Sequence, residues 1–425
     1  MVTTLAHQFL IIRWMDQRTR RVLARHHVVA VALALVGVAF LGLALSIVLG
    51  KAGWGYDFEA YFRAAQRIPR NELYQSWMMD PFSPGMYGYY MYPPPLAVMV
   101  VPFTAVSLPA ATMAWFLLRV VLLGAACAVM PVRPTIRLLA FAVAAFSQPV
   151  LQDLVLGNVS LLVVVALAVT WRWLDRPLGS VAAAIAMSVR PTLGVLLFWW
   201  GFRRRWRPLL SALLAGIVLV LVTLPIVGVD AWTDYLAVLR NVSQVSGVTN
   251  NLDLASTVLR FNVDPIVATA ALYGGYAIAI GASLWSLRYD RDLSFMVTIG
   301  ATLLLAPLLW DHYLASLLLP GAFLAQRGRP WGLALPLLAW LPAPLLPLVA
   351  IAATLAPFLA ERRPATAPAA LDRGGWRHRR GTRAVEPDPA PTGQGFPQPA
   401  LAAATTPQPQ LEGPPSGSNT TSSPS

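Results

Sequence analysis

The chain has 425 residues, of which 57% are hydrophobic and 12% charged, with a mean hydropathy of +0.59. Soluble domains carry about 25% charged residues, so a single water-soluble globule is excluded and an all-α polytopic membrane protein is indicated. The net charge of +13 rests almost wholly on arginine, Lys51 being the only lysine. Placed at the ends of apolar runs, that charge reads as the positive-inside signal rather than as a nucleic-acid-binding surface.

In chain order, residues 1–27 form a basic N-terminus that reads as a cytoplasmic anchor, with Arg18, Arg20, Arg21 and Arg25 ahead of a first span at 28–49. An outer loop is expected over 50–94. Further apolar stretches follow at 110–131, 138–151, 157–172, 208–228, 264–286, 293–310, 312–326, 331–345 and 346–360. Several of these are shorter than the roughly 20 residues of a full crossing, and three more, 95–107, 178–190 and 191–202, are expected to be half-spans or broken helices. Arginines at 133 and 137, 172 and 176, 203 to 207, 288 and 291, and 327 and 329 place the intervening loops on one face, the cytoplasmic one. This gives about ten to thirteen membrane segments in one transmembrane domain, residues 28–363, with outer loops also at 152–156, 229–263 and 310–312. From residue 364 to 425 the sequence turns to Pro, Ala, Thr, Gln and Ser, the composition of a disordered cytoplasmic tail.

Under this threading the outer loops collect the polar residues. Asp57 and Glu59 fall in the first, Gln152, Asp153 and Asn158 around the second, Asn250, Asn251 and Asp253 in the third, and Asp311 and His312 in the fourth. Arg190 stands between two apolar half-spans, and an ionisable residue at membrane depth marks function by default. Blander readings accompany each. Asp57 is suited to capping a short amphipathic helix whose Phe58, Tyr61, Phe62 and Ala65 share one face. Glu59 is spaced to pair with Arg63 at i+4, Asp153 and Asp253 read as loop polars, and Asp311 and His312 as caps of a helix start. Cys127, a lone cysteine, excludes an internal disulfide and a thiolate metal cluster.

Taken together, a carboxylate in an aromatic loop, an arginine at depth and an outer histidine suit transfer chemistry on a lipid-borne phosphate sugar. The carboxylate can draw the proton from a sugar hydroxyl as the new C–O bond forms. Arginine or imidazolium can neutralise the departing phosphate, and Trp54, Tyr56, Tyr61 and Trp310 offer flat faces for pyranose rings. A lipid or sugar transporter is the competing class; it calls for ionisable residues near the midplane of several spans, where Arg190 is the one that stands out.

The segments "YDFEAYFRAA" (56–65), "LY" (73–74) and "YPPPLAVMVVPF" (92–103) resemble the opening of the glycosyltransferase family 87 (GT87) polyprenol-phosphate-mannose-dependent mannosyltransferases. The likeness continues through "LGNVSLLVVVAL" (156–167), "SVRPTLGVLLFW" (188–199) and "LLLAPLLWDHYLASLLLP" (303–320). The resemblance implies a GT-C glycosyltransferase fold with short outer-loop helices in a bacterial plasma membrane, and the threading puts the active site on the outer side. It implies a polyprenyl-phosphate-mannose donor, a glycolipid or lipoglycan acceptor, membrane lipids as surroundings, inversion at the sugar carbon, and neither metal nor other cofactor. A donor carrying another polyprenyl-phosphate sugar fits the same pattern. Asp57 is then the catalytic base, with Arg190 and His312 near the donor phosphate or the acceptor, and Tyr61, Asn158, Trp310 and Glu59 as further substrate contacts. One departure stands out: Pro191 follows Arg190 directly, where the family pattern more often has lysine with a proline three residues on.

Overall fold

The apolar runs become helices, and among the described residues every regular element is helical. The structure, a computed structural model, describes residues 26–49, 53–79, 89–244 and 251–361; the basic segment 1–25, Asn250 and the tail lie outside them. Helix α1 (His26–Val48) is a full apolar span, and α2 (Tyr56–Arg67) is a short amphipathic helix that buries Phe58, Tyr61, Phe62 and Ala65. Next come α3 (Pro94–Val100, prolonged by a 3-10 turn to Ala105) and α4 (Leu108–Val129). Helices α5 (Pro134–Phe146) and α6 (Gln148–Leu156) meet at 63°. Then follow α7 (Ser160–Arg172), α8 (Pro177–Val189), α9 (Val195–Phe202) and α10 (Trp206–Gln244). The chain continues with α11 (Leu254–Leu259), α12 (Pro265–Ser286), α13 (Arg291–Leu304), α14 (Leu318–Gln326) and α15 (Leu346–Leu355).

Five of these stretches are long and apolar enough to cross a membrane, six if the bent α5–α6 pair is one span, and shorter apolar helices fill between them. The protein is a multi-pass membrane protein. Leu210, Leu214, Ile217 and Leu221 of α10 lie exposed along one side, an arrangement stable against lipid and costly against water. Proline occupies the first turn of α3, α4, α5, α6, α8 and α12, where its missing N–H would be unpaired in any case.

The structure corrects two of the expected loops. Residues 152–156 are the end of α6, because Ser147 and Pro149 break the preceding helix and start another. The chain after residue 228 is also no loop at first: Gly228 leaves helical geometry (φ 79°, ψ 167°), and the helix resumes to Gln244.

The arginine-rich loops meet one another at one end of the bundle. Arg172 donates to the Val129 carbonyl (3.2 Å), the Arg133 amide to Gln326 Oε1 (3.0 Å), Arg203 to the Tyr289 carbonyl (2.7 Å) and Arg327 to Asp290 (2.9 Å). Arg291 pairs with Asp175 at 2.5 Å. The alternate turns also touch one another: Gly55 with Val155, Leu252 with Leu309, and Gln148 with Asp311. Several of the loops grouped by charge are thus in contact with one another.

Candidate active site

Two glycines allow the start of α2 to meet the end of α6. Gly55, at the cap position of α2, is left-handed (φ 76°), and a Cβ on it would lie 2.5 Å from Thr112 Cγ2 of α4. Its amide donates to the Val155 carbonyl at 2.8 Å. Gly157, which ends α6 at φ 84°, leaves no room for a Cβ either, since Phe58 Cβ would be 2.6 Å away. Only glycine fits both the backbone angle and the approach. Its carbonyl accepts from Trp115 Nε1 at 2.8 Å, and the Trp115 ring stacks on Phe58 with centroids 5.1 Å apart.

Asp57 therefore sits in the first turn of α2; the cap position belongs to Gly55, and the capping reading of Asp57 is not realised. The next residue after Gly157 reaches it: Asn158 Nδ2 donates to Asp57 Oδ2 at 2.7 Å and to Tyr92 Oη at 3.2 Å. Asn158 Oδ1 accepts from the Val159 amide (2.7 Å) and from Ser160 Oγ (3.3 Å). Ser160 Oγ in turn accepts from Arg190 Nη2 at 2.9 Å. Two side chains, Asn158 and Ser160, thus join the Asp57 carboxylate to the Arg190 guanidinium.

Arg190 is carried at the break between α8 and the 3-10 turn that begins at Pro191. It is buried, and its Cζ lies 3.7 Å from the centroid of the Tyr313 ring, a cation–π contact that holds the guanidinium plane in place. His312 stands edge-on to the same tyrosine, centroids 5.1 Å apart, and its buried Nε2 has no hydrogen-bond partner among the described residues. Asp57, Asn158, Arg190 and His312 are brought together. Trp310 caps the 3-10 turn Asp311–Leu317 with its backbone and is half-buried; neither Asp311 nor His312 caps that turn.

Tyr61 is buried, with its ring edge-on to Tyr92 (5.2 Å, 84°) and to Tyr90 (6.2 Å, 77°). Its packing steadies Tyr92, which touches Asn158. Glu59 accepts from Arg63 Nε (2.8 Å) and Nη2 (2.5 Å), the i+4 pair that the spacing implies. Among the described residues no group of three or more His, Cys, Asp or Glu comes together as metal ligands would.

Beneath this line lies a pair that the sequence reading missed. Arg119, in the middle of α4 and 1% exposed, faces Asp153, 0% exposed, at 3.4 Å. It also donates to the backbone carbonyls of Asp153 and, at 3.0 Å, of Leu154. The other Asp153 oxygen accepts from the Ser160 amide at 2.8 Å, fixing the start of α7. Asp153 is thus a buried anchor and not a loop polar, and Arg190 is not the lone arginine at depth. An arginine in the centre of a 22-residue apolar run, too far from either end to reach water, was the available signal.

Burial pushes the Asp57 carboxyl up to about 6, opposed by the hydrogen bond from Asn158 and by the charge of Arg119. The group is consequently ionised at neutral pH and basic enough to take a proton from an alcohol in a transition state. With Arg190 two side chains away, the site can accept a proton at one end and hold an anion at the other.

Residues 90–309 match the sequence model of glycosyltransferase family 87, a segment that contains Asn158 and Arg190 and begins after Asp57. Over 352 residues, 74% of this chain and 82% of the other, the sequence is 25% identical to the polyprenol-phosphate-mannose-dependent alpha-(1-2)-phosphatidylinositol mannoside mannosyltransferase of Mycobacterium tuberculosis. No solved structure matches the chain.

Proposed function

The chain belongs to glycosyltransferase family 87, and on that premise we propose that it moves mannose from polyprenyl-phosphate-mannose to a hydroxyl of a glycolipid or lipoglycan. The reaction is a single displacement. Asp57 takes the proton of the acceptor hydroxyl while that oxygen forms a bond to the anomeric carbon. The bond from that carbon to the phosphate oxygen breaks, and polyprenyl phosphate leaves as an anion. Arg190 neutralises the charge that grows on the phosphate, an interaction stronger in the transition state than before it. His312 lies beside Arg190 at the same end and offers its buried Nε2 to the donor or acceptor. A β-linked donor gives an α-mannoside.

The observation that carries this reading is the hydrogen-bonded line from Asp57 through Asn158 and Ser160 to Arg190. It holds a base and an anion site a fixed distance apart, which is how positioning lowers a barrier in a site with little covalent chemistry of its own. The clustering of arginines at the opposite set of turns supports a plasma-membrane enzyme whose active site faces outward. The relative's named substrates make phosphatidylinositol mannosides the first acceptors to test.

The test is incubation of membranes containing the protein with radiolabelled polyprenyl-phosphate-mannose and a lipid extract. A labelled glycolipid that forms with the parent and not with Asp57→Asn is the expected result. Equal labelling by both proteins would remove Asp57 from the mechanism.

A further inference from the structure

A second feature lies further along the helix that carries Asp57. A cavity of about 1130 Å³ is lined by Arg63, Arg67 and Arg70 and, among others, by Trp77, Val101 and Ile226, with the uncharged polar groups of Gln66, Gln75 and Thr104 also in its wall. Arg63 is neutralised by Glu59. Arg67 donates only to backbone carbonyls, those of Glu72 (3.1 Å) and Leu73 (3.2 Å). Among the described residues neither Arg67 nor Arg70 has a carboxylate within ion-pair distance. The cavity is therefore cationic on one side. Its other side is largely apolar: Val101 and Ile226 are 39% and 44% exposed beside Thr104, and Ile226 belongs to the long apolar stretch of α10 whose leucines are exposed.

A pocket with this division suits a ligand with an anionic head and acyl chains. Guanidinium groups bind phosphate oxygens in pairs of parallel hydrogen bonds, and the apolar wall continues the lipid-facing surface of the bundle. A free phosphate ion would use the arginines and leave that wall empty. The geometry of α2, 1.5 Å and about 100° per residue, puts Arg63 about 9 Å and Arg67 about 15 Å beyond Asp57 along the axis and about 120° and 80° around it. A head group anchored by its phosphate at the arginines can extend its sugar toward the carboxylate along the same helix. We propose that this cavity binds the phosphodiester of an anionic glycerophospholipid acceptor; naming it the acceptor rests on the transfer reading above, whereas the binding does not.

Two measurements on the purified full-length protein separate the two ideas. In the first, fluorescent phosphatidylinositol and phosphatidylcholine are titrated against the parent, R70Q and R67Q/R70Q, with no sugar donor present. Phosphatidylinositol is expected to bind the parent more tightly than phosphatidylcholine, with an affinity that falls as salt rises. The double variant should lose about ten- to thirty-fold, from two charges near an anionic lipid. R70Q, whose side chain is exposed, should show part of the loss with an unchanged melting temperature, and R67K/R70K should retain binding. Equal binding of phosphatidylinositol by parent and both glutamine variants overturns the proposal, as does displacement of the lipid by an equal concentration of inorganic phosphate. In the second measurement, mannose transfer to a phosphatidylinositol mannoside is compared with transfer to octyl α-mannoside, which has no phosphate. R67Q/R70Q should raise KM for the first by at least tenfold and leave the second unchanged. A parallel change for both acceptors overturns the acceptor assignment. Lipid binding that responds to the arginines in a protein without any transfer activity would overturn the transfer reading alone.

Discussion

At pH 8 the Asp57→Asn protein is expected to lose most of its activity and yet to resist heat better than its parent. The carboxyl is lifted by burial from 3.8 to about 6, so folding places its charged form at a disadvantage of about 3 kcal/mol. That cost is present in full above pH 6, where the group is charged in both states. It declines as pH falls through 6, and it is absent below 3.8, where the group is neutral in both. Asparagine carries no charge to desolvate, and its amide oxygen can still accept from Asn158. In a chain of this size about 3 kcal/mol corresponds to roughly 4 °C in melting temperature. Thermal unfolding in detergent should show the variant ahead by that amount at pH 8, with the gap closing toward pH 4. Transfer by the variant should fall 10²- to 10⁴-fold, the usual worth of a positioned base. In the parent, turnover should be half-maximal near pH 6 and drop about tenfold for each further pH unit of acidification, as the base form is titrated away. A gap that widens on acidification, or a variant that turns over at the parent's rate, would refute the reasoning.

Three further expectations follow from the surroundings of Asp57. Removing the amide in Asn158→Ala withdraws a donor that favours the ionised carboxylate, so the acidic limb of the pH–rate profile should move above 6; a limb that stays in place would detach Asn158 from the base. Arg119→Met should cost about 3–5 kcal/mol in thermal unfolding, because it leaves the buried Asp153 without its positive partner, while Arg119→Met/Asp153→Leu should recover much of the loss. Gly157→Ala should destabilise by more than about 1 kcal/mol, since it adds a left-handed strain to a collision with Phe58; a melting point equal to the parent's would show that the α2–α6 approach is soft.

Much of this architecture was readable from the chain because its signals are local or periodic. The apolar runs and the amphipathic face of residues 58–65 depend on near neighbours in sequence; the amphipathic helix and most of the runs became helices, while 138–151 split in two and 331–345 formed a 3-10 helix. Asp57, Asn158 and Arg190 were legible as candidates because polar groups are rare in so apolar a chain. The Arg119–Asp153 pair was not, since it depends on a 63° bend between α5 and α6 that turns an expected loop into a helix facing α4. Proline at 149 marked a break without giving its angle. The continuation of α10 beyond Gly228 escaped for a related reason: glycine leaves helical geometry there for one residue and the helix then resumes. By sequence Tyr61 offers a flat face to sugars, whereas its neighbours in space, Tyr90 and Tyr92, come from a segment about thirty residues away and enclose it.

The configuration of the mannose in the product tests the chemistry most directly. Purified protein, a β-linked polyprenyl-phosphate-mannose and a mannoside acceptor should yield an α-linked mannose by nuclear magnetic resonance, with no sugar attached to the protein by mass spectrometry at any time during turnover. A β-linked product, or mannose trapped on the Asp57 carboxylate, would make that group a nucleophile instead of a base and contradict the single displacement set out above.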